Sequence, residues 1–307
     1  MLLTRHLDAN ATMVELIDAL APGDGFPPTH LPGVQVLRSS CHVARGPQIY
    51  EPSLMIVAQG SKVAYLGPRT LEYGAGHYLI QAMPVPFECE TFAMPDAPLL
   101  GITVGIDRVV LGELVMAMGM QAGPPPAAQT LASMSSVVLD EAMRGCVERL
   151  LQCLQDPLES RILGPARVRE LLFTALRGPQ ADVLRALVEQ QGQFSRVATS
   201  LNYLHAHYAE PLNIETLAGH AHMSASTFHE HFKRCTLLSP VQYLKRLRLL
   251  KASSCCWSPA WVWRRRRTAW ATRAHPSSVA STSATSNAAR ARSARPSRGL
   301  ARVQGAQ

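Results

Sequence analysis

NIETLAGHAHMSASTFHEHFKRCTLLSPVQYLKRLRLLK, residues 213–251, is the stretch on which the reading of this chain turns. Its spacing predicts a short helix opened by Asn213, a turn through His222–Met223–Ser224, and a second helix capped by Ser224. A third helix starts at Ser239 and Pro240, with the proline at the favoured first helical position. Ile214, Leu217 and Ala218 face inward on the first helix, Met223 fills the turn, and Phe228 and Phe232 anchor the second helix four residues apart. These are the expected core of a helix-turn-helix, whose second helix must offer an exposed face to the major groove. That face is expected to hold Ser224, Ala225, Ser226, Thr227, His229, Glu230, Lys233 and Arg234. Small and polar side chains suit base edges, and Lys233 and Arg234 suit phosphate. On the third helix Lys245, Arg246, Arg248 and Lys251 are further candidates for phosphate contact.

The same residues carry a family resemblance. Ile214, Leu217, Ala218, Ala221, Met223, Ser224, Ser226, Phe228, Phe232 and Lys233, followed by Ser239, Pro240, Tyr243, Leu244, Lys245, Leu247, Arg248 and Leu249, resemble the first helix-turn-helix and linker helix of the AraC/XylS family. Leu237 departs from that pattern, which has glycine after the position of Thr236, so the turn there is expected to be strained if its φ is positive.

Upstream the periodicity changes. VQVLRSS, SLMIVAQGSKVAYL, HYLIQAM and LLGITVGI, within residues 34–106, are β-rich runs with Gly, Pro and Asx punctuation, as in a small barrel or sandwich. DRVVLGELVMAM, VLDEAMRGCVERLLQCLQ and ARVRELLFTALRG then show helical spacing, the first two separated by the proline- and serine-rich GPPPAAQTLASMSS. SRVATSLNYLHAHY is another amphipathic helix, stopped before Pro211. YEPSLMIVAQGSKVAYLG and EYGAGHYLIQAMPVP resemble the cupin-like N-terminal domain of one AraC-type subgroup, and ILGPARVRELLFTALRG its helical end. The resemblance implies a domain that binds a small-molecule effector and forms a homodimer, and a second region that binds promoter DNA; it implies no cofactor.

The expected fold class is therefore α+β: an N-terminal cupin-like β-barrel with following helices, then an all-α helix-turn-helix region and a disordered tail. The expected domains are residues 1–190 (barrel about 34–106, helices about 107–190), 195–252 and 253–307. Residues 253–307 hold all four tryptophans and ten arginines, with no lysine, aspartate or glutamate. Of the 30 basic residues, removing those ten leaves 20 against 22 acidic ones, so the net charge of +8 becomes −2 for residues 1–252. The high charge belongs to the tail, not the body.

That tail stands where the family carries a second helix-turn-helix. With permitted codons, shifting the frame by one nucleotide over Ala271–Ser286 reads GYESPSQFSREYKRHF, which is similar to the family's second motif. One reading is thus a frameshift near residues 251–254 that impairs DNA binding. The other is a natural Arg-rich arm that grips phosphate without sequence preference.

Other chemistry finds little support. The seven cysteines show no C-x-x-C and no repeated spacing, which argues against a disulfide framework or a zinc site. His42 and His77 raise the alternative of a metal-dependent cupin enzyme fused to a helical module, but the usual pair of neighbouring histidines with a glutamate is missing. No G-x-S-x-G elbow, phosphate loop or dinucleotide fingerprint occurs, so the chain is expected to be no enzyme and to hold no metal. Without a long apolar run or signal-like start, the expected location is cytoplasmic.

Overall fold

Eight short strands follow one another between Val34 and Gly105, and none buries its apolar side chains alone. They are β1 Val34–Ser39, β2 Val43–Ile49, β3 Ser53–Gln59, β4 Ser61–Leu66, β5 Arg69–Gly74, β6 His77–Gln81, β7 Pro86–Phe92 and β8 Leu99–Gly105. The computed structural model describes residues 12–27, 29–119, 132–189 and 192–256. In it all strand pairs are antiparallel, with orders β1-β8-β3-β6 and β2-β7-β4-β5 in two separate sheets. Apart from the β4–β5 hairpin, successive strands thus alternate between the sheets in the manner of a jelly roll, the architecture that includes the cupins. The expected α+β class holds, and the barrel takes the form of two facing sheets.

The first sheet gains a fifth strand from far along the chain. β9, Met134–Val138, pairs with β6 over Gln81↔Met134 to His77↔Val138. Sequence spacing had divided these residues between a Pro/Ser-rich linker and the start of a helix. MSSVV is too short to show a period, and it is strand because the exposed edge of β6 supplies a ladder for its N–H and C=O groups. Most of the expected linker, residues 120–131, lies outside the described residues, as does the expected tail beyond residue 256.

Helices cover the first sheet and one end. α1, Met13–Leu20, opens with a capping box between Thr12 and Glu15 and buries Met13, Leu16 and Ile17 towards β1, β3 and β8. With that cover, β3 is buried on both faces from Ser53 to Val57. α2 (Arg108–Ala117), α3 (Glu141–Cys153) and α4 (Pro157–Ile162) are each capped by an aspartate: Asp107, Asp140 and Asp156. α5 (Gly164–Leu176) packs on α3, and α6 (Ala181–Val188) joins α2 and α5. Cys146 and Cys153 do share the buried side of α3; Cys146 meets the Thr174 hydroxyl at 3.2 Å and Cys153 donates to the Glu159 carbonyl at 3.2 Å. Cys41, Cys89, Cys146, Cys153 and Cys235 are free.

The last four helices are α7 (Gln193–Ala206), α8 (Ile214–His220), α9 (Ala225–Thr236) and α10 (Pro240–Cys256). One compact unit takes in every described residue, and one continuous apolar core runs from the sheets into these helices. No helix among the described residues is long and apolar enough to cross a membrane.

Candidate functional site

α8 and α9 owe their mutual angle to a turn closed by backbone hydrogen bonds. The N–H of His222 donates to Gly219 O and that of Met223 to Ala218 O, each at 3.0 Å, while His222 takes a φ of 51°. Asn213 accepts from the Thr216 N–H at 2.7 Å and Ser224 from the Thr227 N–H at 3.3 Å, so both expected caps are in place. Inside, Leu217, Ala218, Phe228 and Phe232 are buried, with Ile214 and Met223 half-buried at the edge. The Phe228 and Phe232 rings lie 5.3 Å apart, and Tyr243 of α10 meets Phe232 edge-on at 5.3 Å. Burying one such ring stabilises the fold by about 1.5–3 kcal/mol.

With that core fixed, α9 turns Ala225, Ser226, Thr227, His229, Glu230, Lys233 and Arg234 to solvent. Ser224 is exposed too, but its hydroxyl caps the helix and bonds the Thr227 hydroxyl at 2.8 Å. Arg234 is already engaged, donating to Gln193 Oε1 at 2.9 Å and to His231 Nδ1 at 2.5 Å. His231 points inward, and burial followed by the Arg234 charge holds its imidazole below the usual range. From Ser224 to Lys251 six basic residues face one acid, Glu230, so this segment is positive within a body that is not.

The α10 candidates separate. Lys245 and Arg246 are exposed. Arg248 instead donates from Nε to Tyr208 O and from Nη2 to Glu210 O, both at 2.7 Å, closing the α7–α8 connection. Lys251 places Nζ 5.6 Å from the centre of the Tyr208 ring. Leu237 ends α9 in the left-handed region at φ 59°, where the family pattern has glycine. Its N–H still bonds Lys233 O at 2.8 Å. Its half-buried side chain lies beside Gly67 in the β4–β5 turn, a contact that glycine would lack.

Three features missed by sequence reasoning lie between these helices and the part of the chain before them. Tyr243, buried, donates its hydroxyl to Pro84 O, and the same oxygen lies 2.7 Å from His205 Nε2. The phenol has one proton and the carbonyl can only accept, so His205 Nε2 carries the hydrogen of that second bond. Arg108, at the start of α2, donates from Nη2 to Leu187 O at 2.5 Å and Ser195 Oγ at 2.7 Å. Between α10 and β7 runs a groove of about 510 Å³ with Phe87, Pro86, Leu249 and Leu250 among its apolar walls and Arg246 on its rim. Only the tertiary arrangement brings these partners together, and no local pattern marks them.

The jelly-roll interior is largely filled by side chains, including Tyr50, Tyr73, Phe87 and Cys89. Burial pushes the phenols of Tyr50 and Tyr73 well above the usual tyrosine range. The two histidines that raised a metal site are placed differently. His42 contacts Glu90 at 3.3 Å and Phe92, while His77 pairs with Val57 and Val138 in the other sheet. Among the described residues no group of three His, Cys, Asp or Glu is arranged to hold a metal.

Two family models match the chain. "AraC-type transcriptional regulator N-terminus" covers residues 30–183, and "Bacterial regulatory helix-turn-helix proteins, AraC family" covers residues 204–245. Among curated relatives, the HTH-type transcriptional activator RhaS of Escherichia coli strain SMS-3-5 is 32% identical over 109 residues, 34% of this chain and 38% of that protein. The same figures hold for RhaS of strain UTI89, so the match spans well under half the length of these relatives. Of solved structures, ToxT from Vibrio cholerae O395 aligns with 70% of this chain and 97% of its own at 11% identity and a TM-score of 0.30. The AraC-like transcriptional activator CuxR aligns with 76% of this chain and 84% of its own at 15% identity and a TM-score of 0.33.

Proposed function

The chain belongs to the AraC-type transcriptional regulators, and from that premise we propose that it reads promoter DNA with α9 under control of a small-molecule effector held in its jelly roll. The observation that carries this reading is the exposed face of α9, seven small, polar or basic residues held out by a fully buried aromatic core. Ser226, Thr227, His229 and Glu230 stand at base edges in this reading. Lys233, Arg234, Lys245 and Arg246 stand at phosphate, joined by Lys251 and by what Arg248 can spare from its two carbonyls.

In the same proposal residues 1–190 form the effector-binding and dimerisation part and residues 195–252 the reader. Two copies then place two α9 helices on successive half-sites. Support for a homodimer comes from large apolar side chains left exposed: Val109 and Met116 on α2, and Leu158 and Ile162 on α4. A single helix-turn-helix module buries on the order of 600–1,000 Å² on DNA, at the low end for a specific complex. The chain is therefore proposed to bind more weakly than a version whose frame restores the second motif.

Selection from a randomised duplex pool tests the reading. Both versions are expected to enrich a sequence motif, the restored one more strongly, and His229→Ala is expected to relax one position of it. A pool that stays random with both versions would sink the assignment. A fresh nucleotide read across codons 245–290 decides between a shifted frame and a natural basic arm.

A further inference from the structure

Helix α9 carries Glu230 and Arg234 one turn apart, the spacing at which a helix pairs opposite charges. Among the described residues that ion pair is not made. The Arg234 guanidinium turns instead to two neutral acceptors, Gln193 Oε1 at 2.9 Å and His231 Nδ1 at 2.5 Å, and both bonds leave from the same nitrogen, Nη2. Arginine can only donate, so His231 Nδ1 accepts and the ring carries its hydrogen on Nε2. The imidazole is neutral in this arrangement.

Committing Nη2 removes more than two hydrogens from the exposed side of Arg234. A guanidinium has five N–H groups, one on Nε and two on each Nη. It offers a phosphate or a base edge two forks: Nε with Nη2 along the side, and Nη1 with Nη2 at the end. Each fork needs an Nη2 hydrogen, and here both are taken. Arg234 is left with single donors on Nε and Nη1 and without the parallel pair that sets arginine apart at phosphate and guanine.

The two acceptors respond differently to acid. Gln193, exposed at the start of α7, accepts at any ordinary pH. His231, buried on the inner side of α9, loses its acceptor lone pair on taking a proton, and as an imidazolium it repels the guanidinium it held. Burial first, and then the Arg234 charge, oppose that proton, while Glu230 favours it. Among the described residues no titratable group of α7, α8 or α10, the helices packed on α9, acts on the ring.

We propose that His231 gates the grip of Arg234 on DNA: a neutral ring keeps the guanidinium to single bonds, and a protonated ring frees an Nη2 hydrogen so that it closes on a phosphate with two. DNA affinity then rises as the ring takes up its proton, below the ordinary histidine value of about 6.5. The proposal rests on the reading of α9 as the DNA-contacting helix and adds a regulation of it.

The test uses the full chain and a fluorescein-labelled duplex enriched from the randomised pool, with affinity read by anisotropy at about pH 7.5 and about pH 5. Gln193→Ala removes one acceptor from outside the DNA face. At the higher pH it is expected to bind about threefold or more tightly than wild type, as one further charge-assisted bond requires. A purely structural role for Gln193 predicts weaker or equal binding, and either result overturns the gate. In acid, wild type is expected to gain about threefold or more over His231→Gln, whose amide accepts at both pH values and takes no proton. The other histidines titrate in both proteins, so the comparison removes them. In an Arg234→Ala background the His231→Gln difference is expected to vanish. Equal acid gains in wild type and His231→Gln, or a difference that persists without Arg234, overturn the gate and leave the reading of α9 standing. If no duplex is enriched, or Lys233→Ala and Arg234→Ala both leave affinity unchanged, that reading falls and the gate falls with it.

Discussion

The jelly roll and the helix-turn-helix dispose of their polar chemistry in opposite directions. In the jelly roll Lys62, Thr91, Cys89 and two tyrosines point inward, while the outer surface carries ordinary ion pairs such as Arg45 with Glu88. In the helix-turn-helix the interior is Phe228, Phe232, Leu217 and Ala218, and the polar side chains stand out on α9. The first arrangement removes those groups from water and fixes them among packed side chains. The second suits a ligand larger than the protein, because a convex helix can enter a groove and meet a regular lattice of phosphates. One chain thus turns polar side chains inward in one region and outward in the other, and the Tyr243 hydroxyl on Pro84 O joins the two.

If the contrast is right, the two faces of α9 must separate cleanly under substitution. Phe232→Ala removes the ring between Phe228 and Tyr243 and is expected to cost about 3–5 kcal/mol in urea unfolding, with loss of DNA binding. A cost under 1 kcal/mol would show that the reader has no tight core of its own.

The joint between the two regions comes next. Tyr243→Phe leaves Pro84 O and His205 Nε2 without their shared hydroxyl, at an expected cost of about 1–3 kcal/mol by thermal unfolding. An unchanged Tm would mean the contact is not made in solution. On the outward face, Lys233→Ala is expected to leave stability within about 0.5 kcal/mol. In fluorescence anisotropy it should weaken DNA affinity similarly for every sequence and lower the salt slope by about one. A drop in stability with no change in slope would reverse the assignment of that face.

The smallest effect is in pH. His231 has its folded pKa depressed by burial and by Arg234, so below the unfolded value, about 6.5, the unfolded chain takes up a proton that the folded form resists. Stability present above that pH is lost as pH falls towards and through the folded pKa. Replacing His231 with Gln is expected to remove that part of the acid slope, and an unchanged Tm-against-pH curve would count against it.

How much of this was legible beforehand differs between the regions. The helix-turn-helix rests on local signals: caps at Asn213, Ser224 and Ser239, two phenylalanines at helical spacing, and a turn short enough to close on its own backbone. Even the departure at Leu237 was visible: the turn was expected to be strained if its φ were positive, and φ is 59°. In the jelly roll the inward parity of Lys62 with Ala64 and Leu66 was present in the alternation of β4, but nothing local says that both sheets close over it. β9 was illegible because its five residues become strand only when β6 offers them an edge. Arg248 illustrates the same limit, since its charge suggested phosphate while the fold brings two carbonyls within 2.7 Å.

By itself, then, the amino-acid sequence determined the helix-turn-helix, its caps and its exposed face, and the alternation of a β-rich first half, because periodicity and capping act over a few residues. The tertiary structure alone decided the jelly-roll order, the return of β9, the bond from Tyr243 to Pro84 across 159 positions, and the burial of Lys62 beside Tyr73 and Thr91. Those depend on which distant segments meet and on what they bring to desolvate or to pair, and no window of sequence holds both partners.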